Sequence, residues 1–265
     1  MEERLTRPSL RWLEPSQGVV LAGIAALAGV TWLDLWRRAS EMAMHEGMGM
    51  AMPGAPPWDP ADLAATAAMW GVMMIAMMLP SATPLLVLFA RSQRLRMGAA
   101  EGSWRSGLLA AGYLVTWLGW SGLAAALQWG LRALLLLSPG AALTSAVAGG
   151  AVLVGAGLYQ VTPWKQACLR HCQSPLGFLL ARWRDGRLGA FRMGLSHGLY
   201  CVGCCWALMA LLFVGGVMNL AWVAALALLI LLEKVVPGRW LSWTSGAALI
   251  GWGLYLLGSG LLPAA

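Results

Sequence analysis

The sequence predicts an all-α fold, a polytopic transmembrane helix bundle of about seven spans with the N-terminus cytoplasmic and the C-terminus outside. Three observations carry that expectation. The first is composition: of 265 residues, 59% are hydrophobic and only 11% charged, whereas a soluble domain carries about 25% charged residues. The second is a series of seven apolar runs, each near the roughly 20 residues a spanning helix needs. The third is the placing of the basic residues between those runs. Together they exclude a disordered chain, a disulfide scaffold and an ordinary cytosolic enzyme. They favour a single integral membrane domain, residues 1–265, in a bacterial-type inner (plasma) membrane.

The runs fall at 17–35, 63–89, 104–130, 142–162, 188–214, 217–233 and 243–262. The first follows Arg4, Arg7 and Arg11 and begins like a signal peptide. It ends in Trp32, Leu33, Leu35 and Trp36 without a small-residue cleavage site, and is read as a retained anchor, with cleavage near Ala28 as the alternative. With residues 1–16 inside, alternation through seven spans puts fifteen of the 18 Lys and Arg inside and only Arg37, Arg38 and Arg132 outside. That asymmetry is the positive-inside pattern. It accounts for the net charge of +7 by orientation, so the lipid bilayer is the expected partner and nucleic acid is not. Trp12, Trp36, Trp58, Trp104, Trp183 and Trp240 lie near span ends, where indoles anchor helices at the interface. Gly149, Gly150, Gly155 and Gly157 are read as close helix packing.

Soft donor side chains occur at three levels. On the second span Met69, Met73 and Met77 recur every four residues along one helix face, with Met74 and Met78 beside them. A methionine stripe alone is more simply core packing. Pro80 and Pro84 follow and are expected to kink or end that helix. On the fifth span His197, Cys201 and Cys204 are spaced i,i+4 and i,i+3, so they share a face, and Cys205 and Met209 follow. Polar and ionisable groups inside a span are costly and point to function. At 1.5 Å per residue Met73 lies about 16 Å from the outer boundary, Cys201 about 20 Å and Cys204 about 15 Å. The two columns share a depth, whether or not the helices are neighbours.

The outer segment 37–62 holds Met42, Met44, His45, Met48, Met50 and Met52, thioethers that bind soft ions without deprotonation; a plain linker is the alternative. The inner basic segment 163–187 holds Cys168, His171 and Cys172, which share a face if helical. Thioether, thiol and imidazole select Cu(I), with Zn(II) the main competitor. The acidic Glu233 is expected to pair with Lys234 or with a basic residue of an inner loop. Soft ligands outside, midway and inside suggest a relay for a soft metal ion.

The segment Gly194-Leu-Ser-His-Gly-Leu-Tyr-Cys-Val-Gly-Cys-Cys-Trp-Ala-Leu-Met209, with Gly215-Gly-Val-Met-Asn-Leu-Ala-Trp222, Glu233-Lys234, the Met-Trp…Ala-Met-Met-Leu-Pro-Ser run and the Cys168…Cys172…Ser-Pro loop, carries a family resemblance. It resembles the metal-binding integral membrane proteins grouped as domain of unknown function 2182, from about residue 60 onward. The resemblance implies metal binding, copper in particular, and supply of copper to copper enzymes; it implies nothing for the outer methionines. The leading expectation is a Cu(I) transporter or metallochaperone, not an enzyme, with a recipient copper enzyme or a copper chaperone as partner. One alternative is a thiol–disulfide oxidoreductase using Cys201 and Cys204. Another is a structural subunit of a membrane complex.

Overall fold

The computed structural model describes residues 15–47, 60–138 and 140–261, and it is helical throughout, with no β-strand among the described residues. The helices are α1 (Pro15–Gly47), α2 (Pro60–Met97), α3 (Ala99–Ala133), α4 (Ala146–Gln160), α5 (Pro163–Gln173), α6 (Pro175–Arg182), α7 (Gly186–Ala210), α8 (Leu212–Gly215), α9 (Leu220–Val235) and α10 (Trp240–Leu261). Four stretches are long and apolar enough to cross a membrane: Gln17–Met42, Pro60–Met97, Ala99–Ala133 and Gly186–Gly215. A fifth is added if α4 and α5, bent by 65° at a short break, count as one. The remaining expected spans fall short of this measure for physical reasons. α4 stops after 15 residues and α9 has 16, both short of about 20. The 22 residues of α10 are diluted by Trp, Ser, Thr and Gly.

Side-chain placement is inside-out relative to a water-soluble protein. Leu118, Leu123, Leu127, Leu199 and Leu254 face outward, while Gln93, Gln128, Gln160, Lys165, Glu233 and Lys234 are buried. Such a surface suits lipid, and such a core requires every polar group to find a partner within the bundle. Trp36, Trp104 and Trp240 are exposed as anchors should be, but Trp70 and Trp117 are core residues, each 1% exposed.

α2 runs unbroken through Pro80 and Pro84. Proline at position 80 leaves the Ala76 carbonyl without its helical N–H, and the Trp32 indole of α1 donates to that oxygen at 3.2 Å. The inner segment 163–187 is likewise mostly helix. Thr162 and Ser174 each cap a helix that has proline at its first position, accepting from Lys165 N–H and Gly177 N–H, both at 3.3 Å. A capping hydroxyl followed by proline is a strong start signal.

Close glycine contacts fix the packing. α3 packs along both α2 and α7, and α10 packs on α4. Where α3 crosses α7, a Cβ on Gly112 would collide with the Phe191 carbonyl, and one on Gly194 with the Leu109 carbonyl. Gly150 and Gly157 of α4 sit in the same way against Gly253 and Gly246 of α10, while Gly155 faces open space. A buried polar cluster ties α4, α5, α9 and α10. Lys165 Nζ lies 2.6 Å from Glu233 Oε2 and also donates to Gln160 Oε1. Gln160 Nε2 donates to Glu233 Oε1 and to Ser245 Oγ, each at 2.7 Å. The inner basic partner of Glu233 is thus Lys165, not the adjacent Lys234.

Candidate metal centre

The α7 face predicted from spacing forms as a buried row, with His197, Cys201, Cys204 and Cys205 each no more than 3% exposed. Helical geometry alone does this: residues three and four apart stack on one side. The neighbouring helices decide what that side meets. The Gly112–Gly194 crossing brings α3 close enough for Tyr113 to reach over the row. Its ring lies 5.9 Å from the His197 ring, and its hydroxyl lies 3.2 Å from Cys201 Sγ while donating to the Met78 carbonyl at 2.9 Å. Phe178 of α6 packs against His197 in a T-shaped contact, ring centroids 4.9 Å apart. His197 Nδ1 is buried without a hydrogen-bond partner.

α5 covers the row from the far side. Gly203, the small residue between Cys201 and Cys204, leaves room for Cys168: a Cβ there would meet Cys168 Sγ at 2.8 Å. The Gly203 carbonyl also accepts from Tyr159 Oη at 2.5 Å. One turn further along α5, Cys172 Sγ stands 4.0 Å from Cys204 Sγ. Cysteines from the segment and from the span therefore belong to one chamber. His171 leaves it: its ring stacks on Tyr200 with centroids 4.0 Å apart, and Nδ1 lies 2.9 Å from the Ala167 carbonyl.

The methionine column contributes at its far end. Met69, Met73, Met74, Met77 and Met78 are all buried on α2. Met78 is the one whose sulfur shares a partner with the cysteine row, because Lys234 of α9 bridges them. Lys234 Nζ lies 2.9 Å from Cys201 Sγ, 2.9 Å from Ser81 Oγ and 3.8 Å from Met78 Sδ. The second and fifth predicted spans thus meet through side chains of α3 and α9. Met209 is buried one turn beyond Cys205. Met42 and Met44 sit on the last turns of α1, Met44 being exposed. His45 is helical with its side chain outside the described residues, and Met48, Met50 and Met52 lie outside them altogether.

The donor set fits a soft ion: thiols, a thioether and an imidazole nitrogen with no hydrogen-bond partner, while the buried Glu233 carboxylate is engaged by Lys165. The donors are not closed on one point. Cys204 Sγ and Cys205 Sγ turn back to the Cys201 carbonyl at 3.1 and 3.0 Å. Among the described residues no three His, Cys, Asp or Glu side chains converge on a single metal position. Binding would require these thiols to rotate away from that carbonyl, a change of side-chain torsion in a helix that stays where it is. All five cysteines are free.

Tyr113, Ser81 and Phe178 were not singled out by sequence reasoning, and Met78 was read only as standing beside the Met69, Met73 and Met77 column. Lys234 was noted as a partner for Glu233 and as part of the family resemblance, not as part of the site. The available signal was a lysine in the last turn of an otherwise apolar helix, one residue from an acid that another lysine neutralises.

No curated protein and no solved structure matches the chain. A family model described as a copper chaperone matches residues 67–256, which takes in α3 to α9 entirely and most of α2 and α10. That range contains the whole sulfur-lined chamber and leaves out α1 with its methionines. The copper association expected from the ligand types agrees with this description, and on the extent of the match the chain belongs to the PpoB2 copper chaperone family.

Proposed function

We propose that the protein is a membrane-embedded Cu(I) chaperone that holds the ion in the bundle and passes it to a copper enzyme at the outer face. The observation that carries this reading is the approach of Cys172 of α5 to Cys204 of α7, beside the unpartnered nitrogen of His197. Cys201, Cys204 and Cys172 supply thiolate, His197 supplies imidazole, and Met78 supplies thioether. Cys205 and Met209 stand in reserve on the same helix. Met69, Met73 and Met77 extend a thioether track along α2. Met42, Met44, His45, Met48, Met50 and Met52 are proposed as the outer exchange site, and Cys168 and His171 as the approach from the inner side. A seven-span, N-inside topology puts these in the order of a transfer path. The charge asymmetry of the loops supports it. Thioethers at the outer end suit an oxidising compartment, where thiols would be lost.

The chain holds the ion by softness and by exclusion of water, and release follows when a recipient offers sulfur or imidazole ligands of comparable softness. Metal content of the detergent-purified protein tests this. Wild type loaded with Cu(I) under reducing conditions should retain about one ion per chain, and Cys201→Ser/Cys204→Ser and His197→Ala should lose it. Equal copper in wild type and the cysteine variant would reject the site. A thiol–disulfide function has one observation in its favour, the 4.0 Å separation of Cys172 and Cys204. Alkylation trapping of a reversible Cys172–Cys204 disulfide in metal-free protein would support that reading instead.

A further inference from the structure

Lys234 occupies an unusual position. Its ammonium is buried among two sulfurs and a hydroxyl. Among the described residues it forms no ion pair with a carboxylate, since Glu233 one residue away is paired with Lys165. A buried charge is normally held by an opposite charge or a full set of strong acceptors. A thioether and a thiol are weak acceptors. Two of the ammonium's three contacts are therefore with the same atoms, Cys201 Sγ and Met78 Sδ, that a soft monovalent cation would bind.

We propose that Lys234 is the resident cation of the chamber: its ammonium holds the place of Cu(I) between Cys201 and Met78, and must withdraw for the ion to bind. This rests on the copper reading of the same chamber. Two unit positive charges a few ångströms apart in a low-dielectric interior repel strongly, so occupancy by one excludes the other. The exchange is feasible because Lys234 is in the last turn of α9. Its four-carbon stem can carry the ammonium towards the end of the bundle while the stem itself stays in apolar surroundings. In the empty state the ammonium donates to Ser81 and to both sulfurs. In the loaded state its return supplies a built-in competitor that loosens the ion. Such a competitor eases the exchange of the ion onto a recipient's ligands.

The test is Cu(I) affinity of the full-length protein in detergent, measured anaerobically by competition with bicinchoninate. Lys234→Gln removes the competing charge and should bind Cu(I) tighter by about tenfold or more. Lys234→Arg, which keeps the charge, should bind no tighter than wild type. Lys234→Gln binding equally or more weakly would overturn the proposal, and would mean that the lysine assists the metal by favouring the thiolate. Should Lys234→Gln fail to yield folded protein, Ser81→Ala takes its place: it keeps the charge but removes the strongest acceptor, and should tighten binding several-fold. Unchanged or weaker binding in Ser81→Ala would then overturn the proposal. Absence of Cu(I) binding from wild type and Lys234 variants alike would be a failure of the copper reading itself. Binding by Lys234→Gln alone would affirm the exclusion by charge.

Discussion

Glu233 and Lys234 are consecutive on α9, both buried, and their side chains enter two different pockets. Glu233 meets a lysine, a glutamine and a serine, and each of its carboxylate oxygens has a close donor. Lys234 meets a thiol, a thioether and a hydroxyl. The first pocket is a closed ion pair that joins four helices, and nothing in it is free to exchange. The second is held by weak acceptors and stands beside an imidazole nitrogen with no partner. Burial of charge alone therefore does not mark a working site. What separates the two pockets is whether the partners match the charge: a matched pocket clamps the fold, and a mismatched one can trade its occupant.

The largest effect that would break this contrast concerns the clamp. Lys165→Met leaves the Glu233 carboxylate buried without its counter-ion and should cost about 3–5 kcal/mol, read as a lowered unfolding temperature in detergent. Lys165→Met/Glu233→Leu should recover most of that loss. Lys234→Gln, by contrast, orphans no carboxylate and should cost clearly less than Lys165→Met. Equal losses would erase the distinction between the pockets. A smaller effect separates them spatially. Gly194→Leu forces α3 away from α7 and should cost about 1–3 kcal/mol by overpacking. Because it shifts Tyr113 from Cys201, Cu(I) binding should suffer, while the Lys165 clamp on the other side of α9 persists. Retained Cu(I) affinity in a folded Gly194→Leu protein would show that Tyr113 is not needed to shape the chamber. The smallest effect touches both pockets together. Thr162→Ala removes the cap of α5, worth about 1 kcal/mol. Since α5 carries Lys165 as well as Cys168 and Cys172, faster amide exchange along it should accompany slightly weaker copper binding.

Much of this chamber was legible because helical spacing is rigid. His197, Cys201 and Cys204 had to share a face once the run containing them was read as a helix, and the methionines of α2 had to form a column. Cys172 was not legible as their neighbour. Its approach depends on the bend after α4 and on the missing side chain at Gly203, and neither leaves a periodic trace. The helices α5 and α6 were hidden by their charge and shortness, although Thr162-Pro163 and Ser174-Pro175 announce both starts. Tyr113 is one aromatic residue in a long apolar helix, and only the glycine crossing with α7 gives it a role. The shortness of α4 and α9 was not legible either, because hydropathy over a window does not see where backbone hydrogen bonding stops. The unbroken course of α2 through two prolines depended on a donor from another helix.

That donor, the Trp32 indole, has a geometric consequence. Two smooth apolar helices in lipid can slide along each other at little expense, since each displaced contact is replaced by another like it. A single bond from Trp32 to the carbonyl freed by Pro80 removes that freedom and sets the axial register of α1 against α2. Met42 lies ten residues past Trp32, about 15 Å further along α1. The proline that opens one carbonyl therefore acts as a ruler, fixing how far the methionines at the end of one helix stand from the methionines buried in the next.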